Sequence, residues 1–211
     1  MAVCHYACFG SLFTEWGVSG ASTLRGNEMQ PTVIEQLTVQ MLCAIYKKLG
    51  IDDGFDPELV SSAIASNDLW VLDWAYDIRD EQGHNPPHVT AVVDTLDMYS
   101  FLGDSFERLS PAERAIVEGE VPHASSLVQF RGYDGNNELD HRRAVRYLVN
   151  DLDRFESMKD VATLNSHCPV VEMYARMYEV FEPIRAQLIN RLMGPHEIVA
   201  VLQAAVHPSN R

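Results

Sequence analysis

The sequence predicts an all-α fold, a multihelical single domain of about seven to eight helices with a flexible N-terminal extension. Three observations support this prediction. From residue 31 onward, apolar residues recur at steps of three or four, which is the period of an amphipathic helix. Proline, glycine and capping residues divide this pattern into segments of helical length. The period-two alternation that half-buried strands require is nearly absent.

The N-terminal segment, residues 1–28, differs from the rest of the chain. It holds only three charged residues, a stretch that contains Gly and Ser, and no helical apolar period. Such a segment is typical of a flexible or loosely docked extension. We therefore expect residues 1–28 to form this extension and residues 29–211 to form one helical domain.

The first three predicted helices have recognisable start and stop residues. Pro31 suits the first turn of a helix, and Gly50 supplies the end of that helix. Asp56, followed by Pro57, is the predicted cap of a second helix, and Asp68 is the predicted cap of a third. The first helix carries the apolar row Ile34, Leu37, Met41, Ile45 and Leu49.

A long fourth helix is predicted after the chain break at Pro86 and Pro87. Its apolar row consists of Val89, Val92, Val93, Leu96, Tyr99, Leu102, Phe106 and Leu109. The S-x-x-E sequence that begins at Ser110 is a capping box, which predicts a short helix ending near Gly119. The connector that follows could form a short extended pairing over residues 127–130.

The C-terminal third is predicted to be helical as well. Residues 137–157 form the predicted sixth helix, because an apolar row falls within one narrow arc. That row is His141, Val145, Leu148, Leu152 and Phe155. A further helix from Pro169 contains Pro183, which predicts a kink or break near Val180. A last helix is expected over residues 196–206.

The charge of the chain restricts its partners. Sixteen Lys and Arg against thirty Asp and Glu give a formal charge of −14. A protein wrapped in DNA needs an excess of basic side chains to neutralise phosphates, so nucleic acid is not an expected partner. Residues 51–82 hold nine acids and one base, a net charge of −8. This acidic block could supply carboxylates to an arginine-rich surface.

The cysteines and the apolar runs predict a cytoplasmic protein. The four cysteines, Cys4, Cys8, Cys43 and Cys168, are too few for a disulfide scaffold, and we interpret them as reduced thiols. The first residues lack the Lys or Arg of a signal-peptide n-region. No uncharged apolar run reaches the roughly 18 residues of a membrane span, so we expect no membrane association.

Motifs for metals, cofactors and catalysis are weak or absent. Cys4-His5-x-x-Cys8 offers metal-binding atoms, but no second Cys/His pair follows at zinc-like spacing. Prolines between His84 and His88 prevent the helix that would align the two imidazoles. No GxSxG, P-loop, GxGxxG, HExxH or DxDxDG pattern occurs. We therefore expect no cofactor, metal site or catalytic residue, and we favour a non-enzymatic protein without settling that point.

One face of the predicted helix over residues 137–157 is rich in arginine. This arginine stripe consists of Arg143, Arg146, Tyr147, Asn150 and Arg154. Its donors could clamp carboxylates or a phosphate through charge-assisted hydrogen bonds. It could equally be a solvated helix face with local ion pairs. A third alternative is docking onto carboxylates of the same fold or of a second subunit, with the acidic block as the supplier.

Several motifs resemble one protein family. The resemblance rests on Gly132-Tyr133-Asp134, Glu138, Val145-Arg146-Tyr147-Leu148-Val149-Asn150 and Arg154-Phe155, which are similar to the core motif of bacterial YfbU-like proteins. Asp97-Met98-Tyr99, Leu164-Asn165, Tyr174-x-Arg176-Met177 and Glu197-Ile198 are similar to further family segments in the same order. The resemblance covers about residues 30–206. It implies a cytosolic, all-helical, oligomeric protein that is linked to stress-related cell death and has no assigned biochemical activity.

The first functional hypothesis is a non-enzymatic interaction or oligomerisation module. The chain would form a homo-oligomer, with a further protein partner as an option, through the arginine stripe and the acidic block. Trp70 and Trp74 lie four residues apart and are candidate interface aromatics.

The second hypothesis is an enzyme or a binder of a small anionic ligand at the arginine stripe. Asp134 or Glu138 would act as the general base, and Tyr133 or Tyr147 would donate a hydrogen bond. Asp134 could instead cap the sixth helix.

Overall fold

The computed structural model describes residues 31–78 and 85–206 and confirms the all-α class. Eight α-helices of seven or more residues lie in this part of the chain, and its only β feature is a bridge between Tyr133 and Asn165. The α-helices are α1 (Val33–Leu49), α2 (Pro57–Ser66), α3 (Trp70–Tyr76), α4 (Pro87–Glu107), α5 (Pro111–Glu120), α6 (Ala124–Leu127), α7 (Leu139–Arg146), α8 (Val171–Arg185) and α9 (Pro195–Gln203). A π-helix (Tyr147–Asp151) follows α7, and a 3-10 helix (Glu156–Val161) precedes α8.

Some predicted features lie on residues that the structure does not describe, and one predicted feature does not form. The predicted extension over residues 1–28, with Cys4 and Cys8, lies outside the described residues, as does His84. The extended pairing expected over residues 127–130 does not form, because α6 occupies the connector and ends at Leu127. Within the described ranges, no helix is both long enough and apolar enough to cross a membrane.

Local capping chemistry places most of the helix ends where the sequence predicts them. Gly50 ends α1 in the left-handed region with φ of 62°. The Asp56 carboxylate caps α2 by accepting the N–H of Glu58 at 2.8 Å. The capping box of Ser110 and Glu113 forms at the start of α5. These ends depend only on residues within a few positions of each other.

Three helix-end predictions are wrong. Pro31 does not lie in the first turn of α1, because Thr32 is the N-cap of that helix and its capping-box partner is Glu35. Asp68 does not cap α3, because that helix begins one residue later, after Leu69, and the Asp68 carboxylate is bound elsewhere. The break expected near Val180 is absent, since α8 continues to Arg185. Pro183 lies in the last turn of α8, where the loss of one backbone donor disturbs little of the helix.

The core is organised around α4, which packs against α7, α8 and α9. Its buried residues include Val89, Val92, Leu96, Tyr99, Leu102 and Phe106, in agreement with the predicted row. An aromatic cluster of Tyr99, Phe130, Tyr133 and Tyr174 lies beside it, and the ring centroids of its contacting pairs are 5.2–5.8 Å apart. Edge-to-face and tilted contacts of this kind stabilise a core beyond simple burial.

The first helix is oriented differently from the others. α1 packs mainly against α2 and contributes Cys43 to the buried residues. The apolar row predicted from its sequence lies on the opposite side and is exposed. We call Ile34, Leu37, Met41, Ile45 and Leu49 the outer face of α1.

Gly132 is required by backbone geometry. It has φ of 78°, and a Cβ atom built on it would overlap the backbone carbonyl of Leu164. We therefore expect Gly132→Ala to lower the free energy of unfolding by at least about 2 kcal/mol. Gly103→Ala is the matched control, because nothing lies within 4 Å of its Cβ position inside α4. Denaturant titration should show the control unchanged or stabilised, and equal effects in both variants would contradict the prediction.

Candidate functional site

The loop before α7 holds the two carboxylates that the sequence nominated as general bases. Asp134 is only 2% exposed, and its side chain accepts the backbone N–H of Asn136 at 3.3 Å and a hydrogen bond from the side-chain amide of Asn137. It therefore organises its own loop. It does not cap α7, whose first residues receive no side-chain cap.

Glu138 joins two distant parts of the fold. One of its carboxylate oxygens accepts the backbone N–H groups of Val170 at 2.6 Å and Val171 at 2.8 Å. The other oxygen accepts the N–H of Asp134 at 2.9 Å. Glu138 thus caps the start of α8 from the start of α7. A carboxylate at a helix N-terminus is favoured both by the free N–H groups and by the helix dipole.

The predicted continuous helix over residues 137–157 is wrong. α7 ends at Arg146, the π-helix follows, and Leu152 N–H bonds to the Tyr147 carbonyl at 2.9 Å. A π-helix holds more residues per turn than an α-helix, so the faces after Arg146 rotate away from a regular period. Arg154 lies beyond the helix, and the arginine stripe is not one straight row.

Tyr147 belongs to the core and not to the surface stripe in which it was predicted. It is 0% exposed, and its hydroxyl lies 2.8 Å from the Ser62 hydroxyl and 3.0 Å from the Ser66 hydroxyl. The Trp70 ring packs edge-on against the Tyr147 ring at 6.0 Å. Trp70 is likewise buried, so it is not an exposed interface aromatic.

Arg143 is bound within the chain. It contacts the buried Asp68 carboxylate at 3.0 Å and the Asp140 carboxylate at 2.7 Å. Burial lowers the pKa of Arg143, but the hydrogen bond and the charge of Asp68 outweigh burial and raise it. The contact corresponds to the third alternative for the arginine stripe, since Asp68 belongs to the acidic block.

Two of the remaining stripe residues, Arg146 and Arg154, also contact side chains of the same chain. Arg146 donates to the Ser62 hydroxyl at 3.2 Å and lies 4.6 Å above the Tyr147 ring. Arg154 lies 5.9 Å from the ring centre of Trp74. Asn150 is exposed on the π-helix. The stripe does not converge with Asp134 or Glu138, whose oxygens are bonded in the loop and at α8.

Within residues 31–78 and 85–206, no group of three or more His, Cys, Asp or Glu side chains could hold a metal ion. The two described cysteines, Cys43 and Cys168, are free thiols far apart in the sequence.

Sequence reasoning missed two features of the N-terminal helices. One is the exposure of the outer face of α1. The other is a cavity of about 330 Å³ between α1, α2 and α3. A signal for both exists in the sequence, because α1 is apolar on more than one side: Val39 and Cys43 face the cavity while Met41 and Ile45 face outward.

The Glu138 contact predicts a specific loss of stability. Glu138→Gln replaces one acceptor oxygen with an amide that faces a backbone donor, so we expect a loss of about 1.5–3 kcal/mol in the free energy of unfolding. Glu172→Gln, in the exposed first turn of α8, removes the same charge without removing an acceptor. Urea titration should show a change below about 0.5 kcal/mol for that control. A Glu138→Gln effect no larger than the control would refute the capping role.

His141 predicts a pH dependence. Burial, together with the neighbouring His88, lowers the pKa of His141. The unfolded chain therefore takes up a proton at a higher pH than the folded chain, and the stability contributed by neutral His141 declines as the pH falls below about 6.5. Between pH 7.5 and 5.5, His141→Gln should lose less stability than the wild type. The exposed His196→Gln control should follow the wild type, and identical curves for all three proteins would contradict this.

Comparison with known proteins agrees with the resemblance found in the sequence. The YfbU domain family matches residues 59–204, from α2 to the end of α9. The UPF0304 protein MJECS11 of Methanocaldococcus jannaschii is 30% identical over 95 residues, which is 43% of this chain and 53% of that protein. The chain thus spans about half the length of the curated relative it matches. No solved structure matches. Because the family match covers well over half of its residues, this chain belongs to the YfbU family.

Proposed function

We propose that this chain is a non-enzymatic interaction module that self-associates through α1. The outer face of α1 is the observation that carries the proposal. All five of its side chains are more than half exposed, from Ile45 at 51% to Ile34 at 77%. An apolar row at helical spacing is normally buried, so a row left in water is typical of a protein–protein contact.

The outer face cannot turn inward, because the other side of α1 is fixed to α2. Cys43 is buried there, and the Gln40 side chain donates to the Ser61 carbonyl at 2.9 Å. Lys47 and Glu58 form an ion pair at 2.6 Å at the end of the same contact. Among the residues that the structure describes, none covers the outer face, which a second copy of the chain would bury.

The exposed area is comparable to one side of a small dimer interface. The five apolar side chains of the outer face expose on the order of 600 Å² per chain. The smaller specific interfaces bury about 600 Å² on each partner. The largest apolar patch of an ordinary monomer is about 300–600 Å², so the outer face lies at the upper end of that range. The outer face is therefore large enough for a contact between two chains.

A second copy of this chain is the partner that the helix fits best. In an antiparallel pair with a two-fold axis near Met41, Leu37 lies opposite the partner subunit's Ile45. The same surface is used by both chains, as a two-fold contact requires.

The arginine stripe is a weaker candidate for this role. Arg143 and Arg146 are bonded to side chains of their own chain, so an interface or an anionic ligand would have to displace those contacts. The net charge of −14 likewise disfavours nucleic acid. The link to stress-related cell death is part of this proposal and rests on the family resemblance alone.

A charge on the outer face should separate the subunits. We expect the wild type to have a solution mass of twice 23.7 kDa in light scattering, and Met41→Glu to have the mass of one chain. Met41 is exposed in each subunit, so the fold of the variant should persist in circular dichroism.

The control variant and the salt dependence separate the two candidate interfaces. Arg146→Glu also adds negative charge but should leave the mass at that of a dimer. At 1 M salt an apolar interface between two acidic chains should persist, because screening reduces their repulsion, whereas an arginine–carboxylate interface should dissociate. A monomeric wild type, or dissociation by Arg146→Glu instead of Met41→Glu, would refute the α1 interface.

A further inference from the structure

The cavity between α1, α2 and α3 is open along one side and forms a groove. Its volume is about 330 Å³, and the side chains that line it are apolar or aromatic. Three of them are more than half exposed: Leu42 from α1, Phe55 before α2 and Ile78 after α3. Removal of such side chains from water is favourable, so the groove is suited to an apolar protein surface. We call it the α1–α3 groove.

The α1–α3 groove is continuous with the outer face of α1. Successive residues of an α-helix are about 100° apart around its axis, so Leu42 lies about 20° from Leu49, which belongs to the outer face. Val39 and Tyr46, which line the groove, lie within about 60° of Leu42 on its other side. Leu42 therefore joins the two surfaces, and a molecule that covers one of them reaches the edge of the other.

The combined surface has the area of a standard interface. Leu42, Phe55 and Ile78 expose on the order of 300 Å² in total, because half of a large apolar side chain is about 100 Å². With the outer face, the apolar surface is on the order of 900 Å² per chain. This area exceeds the roughly 300–600 Å² of the largest patch on an ordinary monomer and is close to the roughly 800 Å² that each partner buries in a standard interface. The groove thus supplies area that the outer face alone lacks.

The partner that fits this surface is a second copy of α1. An apolar groove accommodates an apolar helix face, and α1 carries one, since Met41 and Ile45 of its outer face are exposed in each chain. In a two-fold contact, α1 of each chain enters the groove of the other, so both copies use the same surfaces. Among the residues that the structure describes, none covers Leu42, Phe55 or Ile78.

We propose that a second copy of this chain covers the α1–α3 groove, which makes the groove part of the self-association surface. The inference rests on the proposed self-association through α1. The partner subunit's α1 lies along the boundary between the outer face and the groove, in contact with Met41 and Ile45 on one side and with Leu42 and Phe55 on the other. An interface confined to the outer face would leave Phe55 as exposed in the dimer as in the single chain.

The test is the rate at which iodoacetamide alkylates a cysteine placed in the groove of the full-length protein. Phe55→Cys and Ile78→Cys are each prepared alone and together with Met41→Glu, which separates the subunits. Peptide mass spectrometry distinguishes the new cysteine from the four native cysteines. We expect alkylation to be about tenfold or more slower in the dimeric protein than in the Met41→Glu background, because the core of an interface excludes water and reagent.

The controls separate this proposal from self-association itself. Ile116→Cys is exposed on α5, which packs against α6 and α9, and should react equally fast with and without Met41→Glu. Ile78→Cys keeps the contact between the Phe55 and Tyr76 rings at 5.0 Å, so its result stands if Phe55→Cys disturbs the fold. A dimer in which both groove cysteines react as fast as in the Met41→Glu background overturns the groove contact alone. A monomeric wild type, or a dimeric Met41→Glu variant, overturns both proposals.

Discussion

The buried carboxylate of Glu138 is the interaction on which the C-terminal half of the molecule depends. Its two oxygens accept three backbone N–H groups, one in the loop before α7 and two at the start of α8. The positions of these groups are set by the Tyr133–Asn165 bridge and by Gly132, which has no room for a side chain. The loop therefore holds α7 and α8 against α4, where the aromatic cluster is buried. Replacement of this carboxylate by another side-chain group would leave buried backbone N–H groups at the start of α8 without an acceptor.

Contacts within the chain also occupy the polar side chains of the segment over residues 132–155, on which the family resemblance mainly rests. The π-helix directs the Tyr147 hydroxyl towards the Ser62 hydroxyl of α2. Arg143 of α7 forms an ion pair with the buried Asp68, which lies between α2 and α3. The charges that suggest ligand binding in the sequence thus join α7 to α2 and α3. Release of Arg143 for an anion would leave the buried Asp68 carboxylate without its ion-pair partner, which is unfavourable.

The exposed apolar surface described above lies instead on α1. This helix is held along one side by α2, where Val39 and Cys43 line the cavity, and its outer face is exposed on the opposite side. Because α1 precedes the residues matched to the family, its two surfaces are features of this chain that family membership does not assign. A helix attached to a rigid core through a single neighbour can present such surfaces without cost to the core itself.

The helical class, the family and most helix ends followed from the sequence alone. Asp56, Gly50 and the Ser110 capping box act on residues a few positions away, and the α4 row is long enough for its period to be unambiguous. The tertiary structure alone decided which face of α1 is buried, where the helix after Arg146 changes its period, and that Asp68 binds Arg143 rather than capping α3. Those outcomes depend on contacts between residues up to 75 positions apart, and a local pattern carries no information about which distant residue will be its neighbour.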